Sequence, residues 1–312
     1  MSAEDRSGIV YHIQQGDMPV TSSQILDLSL PWSQLVMLDL RAISLAPNVV
    51  LVLMHRTAMS LQEASFHVDS DANTPIAFLH RPLMDPPNVR MTALKKLAVT
   101  LGGGRTEAGL FHQFLAPRLK ELRVEMAHAN TEGWSLPLFR PLIALCSRKL
   151  EVLELIDSQG HAAVLPRTPE RRPLTHLELE ALLQLIPNVH VLRLPRSLFA
   201  HHTTLRKLGN GHLLPSLKTL GVTASSLANA EDILVMIAER MRVIEAARRG
   251  VGTSSINVEG GINLFLEEER HAEAITDVVL RMTLAERGVF VKDVLPKYLS
   301  GLGDVEIQVE AL

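Results

Sequence analysis

Seven short runs along the chain share one alternation of apolar and polar positions, L-x-x-L-x-L or a close variant. They start at Leu35 (LVMLDL), Leu61 (LQEASF), Leu94 (LKKLAV), Leu119 (LKELRV), Leu150 (LEVLEL), Val189 (VHVLRL) and Leu217 (LKTLGV), and a weaker one starts at Ile262 (INLFLE). The end of each run alternates with a period of two, which predicts a strand with one apolar and one polar face. Successive starts lie 26, 33, 25, 31, 39, 28 and 45 residues apart. Between the runs the apolar period becomes helical: APNVVLVLMHRTA before the second run, TEAGLFHQFLAP before the fourth with Thr106 as N-cap, and SLPLFRPLIALCS before the fifth. After the seventh, NAEDILVMIAERMRVIEAARRG predicts a long helix. Asn229 caps it, Ile233, Ile237, Met241 and Ile244 form its buried face, and Gly250 ends it.

The stretch RPLTHLELEALLQLIPNVHVLRLP (Arg172–Pro195) holds two candidate strands, LTHLEL from Leu174 and VHVLRL from Val189, only fifteen residues apart. Successive repeats need about 20–29 residues, so one of the two is something else. Thr175 followed by Glu178 is a capping box, with Leu174 and Leu179 as the flanking staple. Leu177, Ala181, Leu182, Leu185 and Ile186 then follow helical spacing until Pro187 stops the helix. LTHLEL therefore opens a helix and VHVLRL is the strand, giving a unit of helix, Pro-Asn turn and strand.

Recurrence of that unit predicts an α/β leucine-rich-repeat solenoid, a horseshoe with a parallel sheet on its concave face and helices outside. A doubly wound α/β domain also alternates helix and strand. Its strands, however, are apolar on both faces, whereas Asp39, Lys96, Glu121, Arg123, Glu154 and Arg193 interrupt these. The expected organisation is a polar, poorly ordered segment over 1–24, an irregular repeat domain over 25–291 and a C-terminal segment over 292–312.

Leucine dominates an apolar content of 46%, enough for a large core, while aromatics are only 4%. The net charge of −3 with no long block of one sign argues against binding nucleic acid or anionic membrane by bulk charge. One cysteine, Cys146, excludes an intrachain disulfide and fits a reducing compartment. The longest apolar run, VVLVLM (Val49–Met54), is too short to span a bilayer, and MSAEDRSG carries no signal-peptide core. These features predict a soluble intracellular protein, cytoplasmic or nuclear.

Candidate chemistry is sparse. LGGGRTEAG (Leu101–Gly109) sits where a phosphate loop would, but lacks the Gly-Lys-Ser/Thr ending and the Gly-x-Gly-x-x-Gly spacing, so it reads as a turn. His201 and His202 are adjacent, point to different sides of any regular element and have no third ligand at useful spacing, so they read as a solvated loop. Cys146 ends an apolar helix and reads as a buried thiol. RTPERRP (Arg167–Pro173) reads as a surface loop.

LPWSQLVMLDL (Leu30–Leu40), LKELRVE with PLIALCSRKLEVLEL, and LTHLELEALLQLIPNVHVLRL resemble the leucine-rich-repeat portion of mushroom-type fungal F-box proteins. The similarity covers roughly Leu28 to Val222, with weaker agreement to about Val291. The resemblance implies a substrate receptor of a cullin-type ubiquitin ligase, in which an F-box grips a Skp-type adaptor and the repeats grip the substrate. MSAEDRSGIVYHIQQGDMPVTSSQ contains no Leu-Pro-x-Glu-like F-box opening. Adaptor binding is therefore expected only if an F-box lies upstream of Met1.

The functional expectation is a non-catalytic protein-interaction module with no cofactor, metal, nucleic acid or membrane partner. Its concave face brings Asp39, Ser65, Ala98, Arg123, Glu154, Arg193, Gly221 and Phe265 into one column. Neighbouring columns add Met37, Arg41, Glu63, His67, Lys96, Glu121, Glu125, Val152, Val191 and Thr219. The partner-binding set is Asp39, Lys96, Glu121, Arg123, Glu154 and Arg193. The alternatives are a leucine-rich scaffold or regulator unrelated to ubiquitin ligases, and a small α/β enzyme with an unrecognised site.

Overall fold

The first, fourth and sixth residues of all seven runs are buried, none more than 5% exposed. The computed structural model describes residues 9–12, 22–69, 89–102, 109–126, 134, 136, 139–157, 176–195, 198, 201–224, 226–249 and 272–311. They fall into two units, Met1–Glu178 and Leu179–Leu312. Both are α/β.

In the first unit the strands are β1 (Ile9–His12), β2 (Leu35–Leu45), β3 (Glu63–Val68), β4 (Val89–Arg90), β5 (Lys96–Leu101), β6 (Phe114–Leu115), β7 (Glu121–Met126) and β8 (Val152–Asp157). β1, β2, β3, β5, β7 and β8 pair in that order, every pair parallel. β4 pairs with β6. The second unit carries β9 (Val191–Leu194), β10 (Thr219–Thr223), β11 (Asp277–Met282) and β12 (Glu306–Ala311), again parallel and in chain order. Among the described residues the strands of the main sheet follow chain order within each unit, without reversal. A doubly wound sheet must reverse, and it binds ligand at that point.

The disputed stretch resolves as helix and then strand: His176–Gln184 is helical and β9 follows at Val191. Thr175 and Leu174 lie outside the described residues, as does the cap expected of them. The buried face of this helix is Leu179, Leu182, Leu183 and Ile186, while Leu177 is 61% exposed and Ala181 is exposed. Leu177 and Leu179 are two residues, about 200° apart on a helix of 3.6 residues per turn, so they cannot share a face.

Other helices cover Pro47–Arg56, with Pro at its start, Arg140–Cys146, His202–Gly209 and Leu227–Arg248. A proline costs nothing in the first turn, where its missing N–H has no partner anyway. The long helix starts two residues before Asn229. Its cap is Ser226, whose Oγ accepts from the Asn229 N–H at 3.2 Å. Met241, expected in its core, is only half-buried. A helix was expected over TEAGLFHQFLAP, but its described part, residues 109–117, holds only a 3-10 turn, Gly109–His112, followed by β6. Phe111 and Phe114, three apart, are both buried there. Phe111 packs against both Phe114 and Phe139, and Phe139 against Trp134, which donates its indole N–H to Asp157 Oδ1 at 2.9 Å. Thr106 lies outside the described residues.

The parallel ladders reach beyond the expected limits of 25 and 291. β1 pairs with β2 from residues 9–12, and β12 pairs with β11 through residues 306–311. The strand beside β10 is β11, in the run ITDVVL. Ile275, Val278 and Leu280 occupy its skeleton and are no more than 1% exposed. The run at Ile262, expected in that role, lies outside the described residues, as does Phe265. Among the described residues no helix is long and apolar enough to cross a membrane.

Candidate protein-binding face

Alternation fixes the chemistry of each sheet. With every second side chain buried, the intervening ones stand on the opposite face, and parallel register lines them up across strands. In the first unit Asp39, Ser65, Ala98, Arg123 and Glu154 form one row. Met37, Glu63, Lys96, Glu121 and Val152 form the next. The five expected residues of this unit, Asp39, Lys96, Glu121, Arg123 and Glu154, thus share one face. Arg193 belongs to the second unit, in a row with Gly221, Val279 and Gln308.

Each cation on the first face is held by carboxylates. Lys96 Nζ lies 3.3 Å from Glu121 and 3.9 Å from Glu63. Arg123 lies 3.1 Å from Glu125 and 3.8 Å from Glu154. Arg41 makes a two-pronged contact with Asp39, at 3.0 and 2.7 Å. That hydrogen bond raises the Arg41 pKa. Exposed pairs of this kind contribute about 0–1 kcal/mol each, so they set the charge pattern of the face more than its stability.

Arg41 was expected beside His67. The register between β2 and β3 shifts after Leu40, so that Ser44 is the residue opposite His67, and its Oγ lies 3.4 Å from His67 Nδ1. Arg41 falls in the irregular segment and turns back on Asp39. The shift follows from three residues in β2 that have no counterpart in β3, which strict alternation cannot show.

Between the charged walls the row drops to Ser65 and Ala98. An open depression of about 270 Å³ forms over them, lined by Glu63, Lys96, Glu121, Arg123 and Glu154 among others.

The second face carries charges that the sequence reading missed because β11 and β12 were not recognised: Asp277, Arg281, Glu306 and Glu310. Arg281 Nε donates to Glu310 at 2.7 Å. The missed signal was ITDVVL, in which Ile275 and Val278 stand at two of the three positions expected to be leucine.

The other candidates take structural places. Cys146 is buried, and burial pushes its thiol up to about 12. A thiolate nucleophile requires the opposite shift. His201 and His202 do not form a loop: His201 is the N-cap of the helix His202–Gly209, accepting from the Thr203 N–H. Among the described residues no group of His, Cys, Asp and Glu could hold a metal ion. Gly102 donates its N–H to Val68 at 2.7 Å, while residues 103–108 of the glycine-rich turn and the whole of RTPERRP lie outside the described residues.

Two buried charges went unanticipated. Glu180, 4% exposed, accepts from Thr204 Oγ1 at 2.9 Å and pairs with Lys207, which ties two helices together. Arg240 is fully buried and donates to four backbone carbonyls, those of Leu208, Leu214, Pro215 and Glu273. It falls on the same helical face as Ile233, Ile237 and Ile244, so its spacing already pointed inward. Neither a protein-family model nor a curated protein matches the chain.

Proposed function

We propose that the chain is a leucine-rich-repeat solenoid that works without catalysis, binding another protein through the charged polar face of its sheet. The observation that carries this reading is the register of the first unit. Asp39, Arg123 and Glu154 share a row, with Lys96 and Glu121 in the row beside it, on an open sheet face backed by buried leucines. Spreading polar residues over a ladder suits recognition of an extended surface by matched charges. Catalysis needs polar groups that converge on a pocket with a strongly perturbed titrating group. The resemblance to fungal F-box repeats adds a role for the bound partner, as the substrate presented to a ubiquitin ligase.

Affinity capture tests the reading. Wild type, Glu121→Lys/Glu154→Lys and a helix control, Glu245→Lys, are compared at matched melting temperature. The face pair is expected to lose its partner and the control to keep it. Breaking one buried, paired charge at an interface costs about 2–5 kcal/mol. Equal recovery from all three discards the face as the binding surface. Skp and cullin subunits recovered with the partner support the ligase role, and a partner recovered without them supports a scaffold or regulator.

A further inference from the structure

The depression over Ser65 and Ala98 is built for one side chain. Ser65 and Ala98 sit between Asp39 and Arg123 in a single row. Three strand spacings separate the two long residues, roughly 14 Å at about 4.8 Å each. The two short residues leave a notch whose charged lining is Glu63, Lys96, Glu121, Arg123 and Glu154. Its volume of about 270 Å³ falls below the roughly 300–1,000 Å³ typical of small-molecule pockets. It suits an inserted side chain better than a cofactor.

Charge selects which side chain. The strands of this face carry the carboxylates of Asp39, Glu63, Glu121, Glu125 and Glu154 against the cations Arg41, Lys96 and Arg123, a surplus of two negative charges. Lys96 and Arg123 each stand between two carboxylates, one nearer than the other. An anionic visitor would meet this surplus, and an apolar one would desolvate the ion pairs without replacing them. A cation meets carboxylates on the notch wall, and a guanidinium can bond two oxygens at once where an ammonium acts as a point charge.

We propose that the Ser65–Ala98 notch receives an arginine side chain from a basic, extended segment of the partner protein. The proposal rests on the reading of this face as the partner surface and names the partner's chemistry.

The probe is a fluorescein-labelled octapeptide of alternating arginine and serine, titrated against the full chain by fluorescence anisotropy. A citrulline counterpart keeps the shape and removes the charge. The arginine peptide is expected to bind ~10-fold or more tighter than the citrulline one, the worth of one charge-assisted contact. Ala98→Trp fills the notch at constant charge and is expected to weaken the arginine peptide by a similar factor. Glu121→Gln/Glu154→Gln leaves the notch open, removes wall charge and is expected to do the same. Glu306→Gln/Glu310→Gln removes equal charge from the second unit and is expected to leave binding unchanged. Equal binding of the arginine and citrulline peptides overturns the proposal. So does equal weakening by the two glutamine pairs, which also decides the matter should Ala98→Trp fail to fold. Partner capture by the face variants tests the broader reading separately: capture that depends on the face while the arginine peptide fails to bind overturns the notch alone.

Discussion

Gly221 lies against the side chain of Arg193, so close that a Cβ there would come within 2.9 Å of the arginine Cγ. The two are paired across β9 and β10. Glycine within a strand ordinarily weakens it. Here its missing side chain leaves room for the Arg193 stem over the neighbouring strand.

Gly221→Ala should therefore turn Arg193 aside. Alanine is easier than glycine to hold in a strand by about 0.5–1 kcal/mol, and that gain offsets part of the crowding. Stability is expected to change little, while partner capture falls to the level of Arg193→Ala. The measurement is affinity capture of both variants and of the double variant. A double variant no weaker than either single one is the expected result, because both act through one side chain. Additive losses would mean that Gly221 acts by another route.

A second prediction compares a leucine of β9 with one of the helix that precedes it. Leu192 is fully buried in β9 and Leu177 is 61% exposed on the preceding helix. Leu192→Ala should destabilise by about 2–5 kcal/mol through the cavity it opens. Leu177→Ala should stay within about 0.5 kcal/mol. Urea unfolding ranks them, and a costlier Leu177 change would reverse the assignment of helix and strand faces.

These leucines also show what could be read beforehand. The strand skeleton was legible because its burial rule is local: three positions in six residues, repeated with the same spacing inside each run. The polar rows followed from the same alternation, so Asp39, Lys96, Glu121, Arg123 and Glu154 could be placed on one face without knowing the loops. Helix faces were less legible. Leu177, Leu179, Leu182 and Leu183 offer two possible stripes, and the choice depends on how the helix packs. Arg41 was misplaced because a register shift is a property of a strand pair. The notch at Ser65 and Ala98 depends on which short residues become neighbours across strands, which no single run records.

The buried thiol of Cys146 gives a pH-dependent prediction. Burial raises its pKa from 9.0 to about 12. Above pH 9 the unfolded chain releases the thiol proton while the folded chain keeps it. The stabilising contribution is complete below pH 9 and is lost as pH rises toward 12. The slope is at most about 1.4 kcal/mol per pH unit. Other groups titrate in the same window, so the measurement is the difference between wild type and Cys146→Ala by chemical denaturation from pH 7 to 10.5. Wild type is expected to lose stability relative to the alanine variant above pH 9, and parallel curves would show that the thiol is not desolvated.

The last prediction concerns Arg240, a buried cation held by carbonyl oxygens. Its guanidinium donates to Leu208 at 2.8 Å, Leu214 at 3.0 Å, Pro215 at 2.6 Å and Glu273 at 2.7 Å. Burial lowers its pKa to about 10. The four carbonyls belong to the end of one helix, the turn after it and the chain entering β11, so one side chain gathers three segments around the long helix. The turn is strained: Leu214 has φ +48°, in the left-handed region that a leucine rarely adopts. Two of the four bonds go to Leu214 and its neighbour, which makes Arg240 the group that fixes this conformation. Arg240→Met keeps the stem and removes every guanidinium donor; the Leu208, Leu214 and Pro215 carbonyls keep the N–H of Gly211, Leu217 and Glu273, and all four lose their charged partner. Removing one side of a buried charged contact costs about 3–5 kcal/mol, reduced here by the desolvation that methionine avoids. Arg240→Lys supplies at most three donors and should recover part of the loss. The sign with pH follows from the lowered pKa. Above about 10 the unfolded chain holds the proton more tightly than the folded one, so this group adds stability as pH rises there and is indifferent below. Wild type and Arg240→Met should therefore differ by a constant amount from pH 6 to 9 in urea unfolding. Hydrogen exchange should show the amides near Leu213 and Leu217 losing protection in the variant. A variant as stable as wild type, with those amides still protected, would mean that the carbonyls find other donors and that Arg240 does not hold the turn.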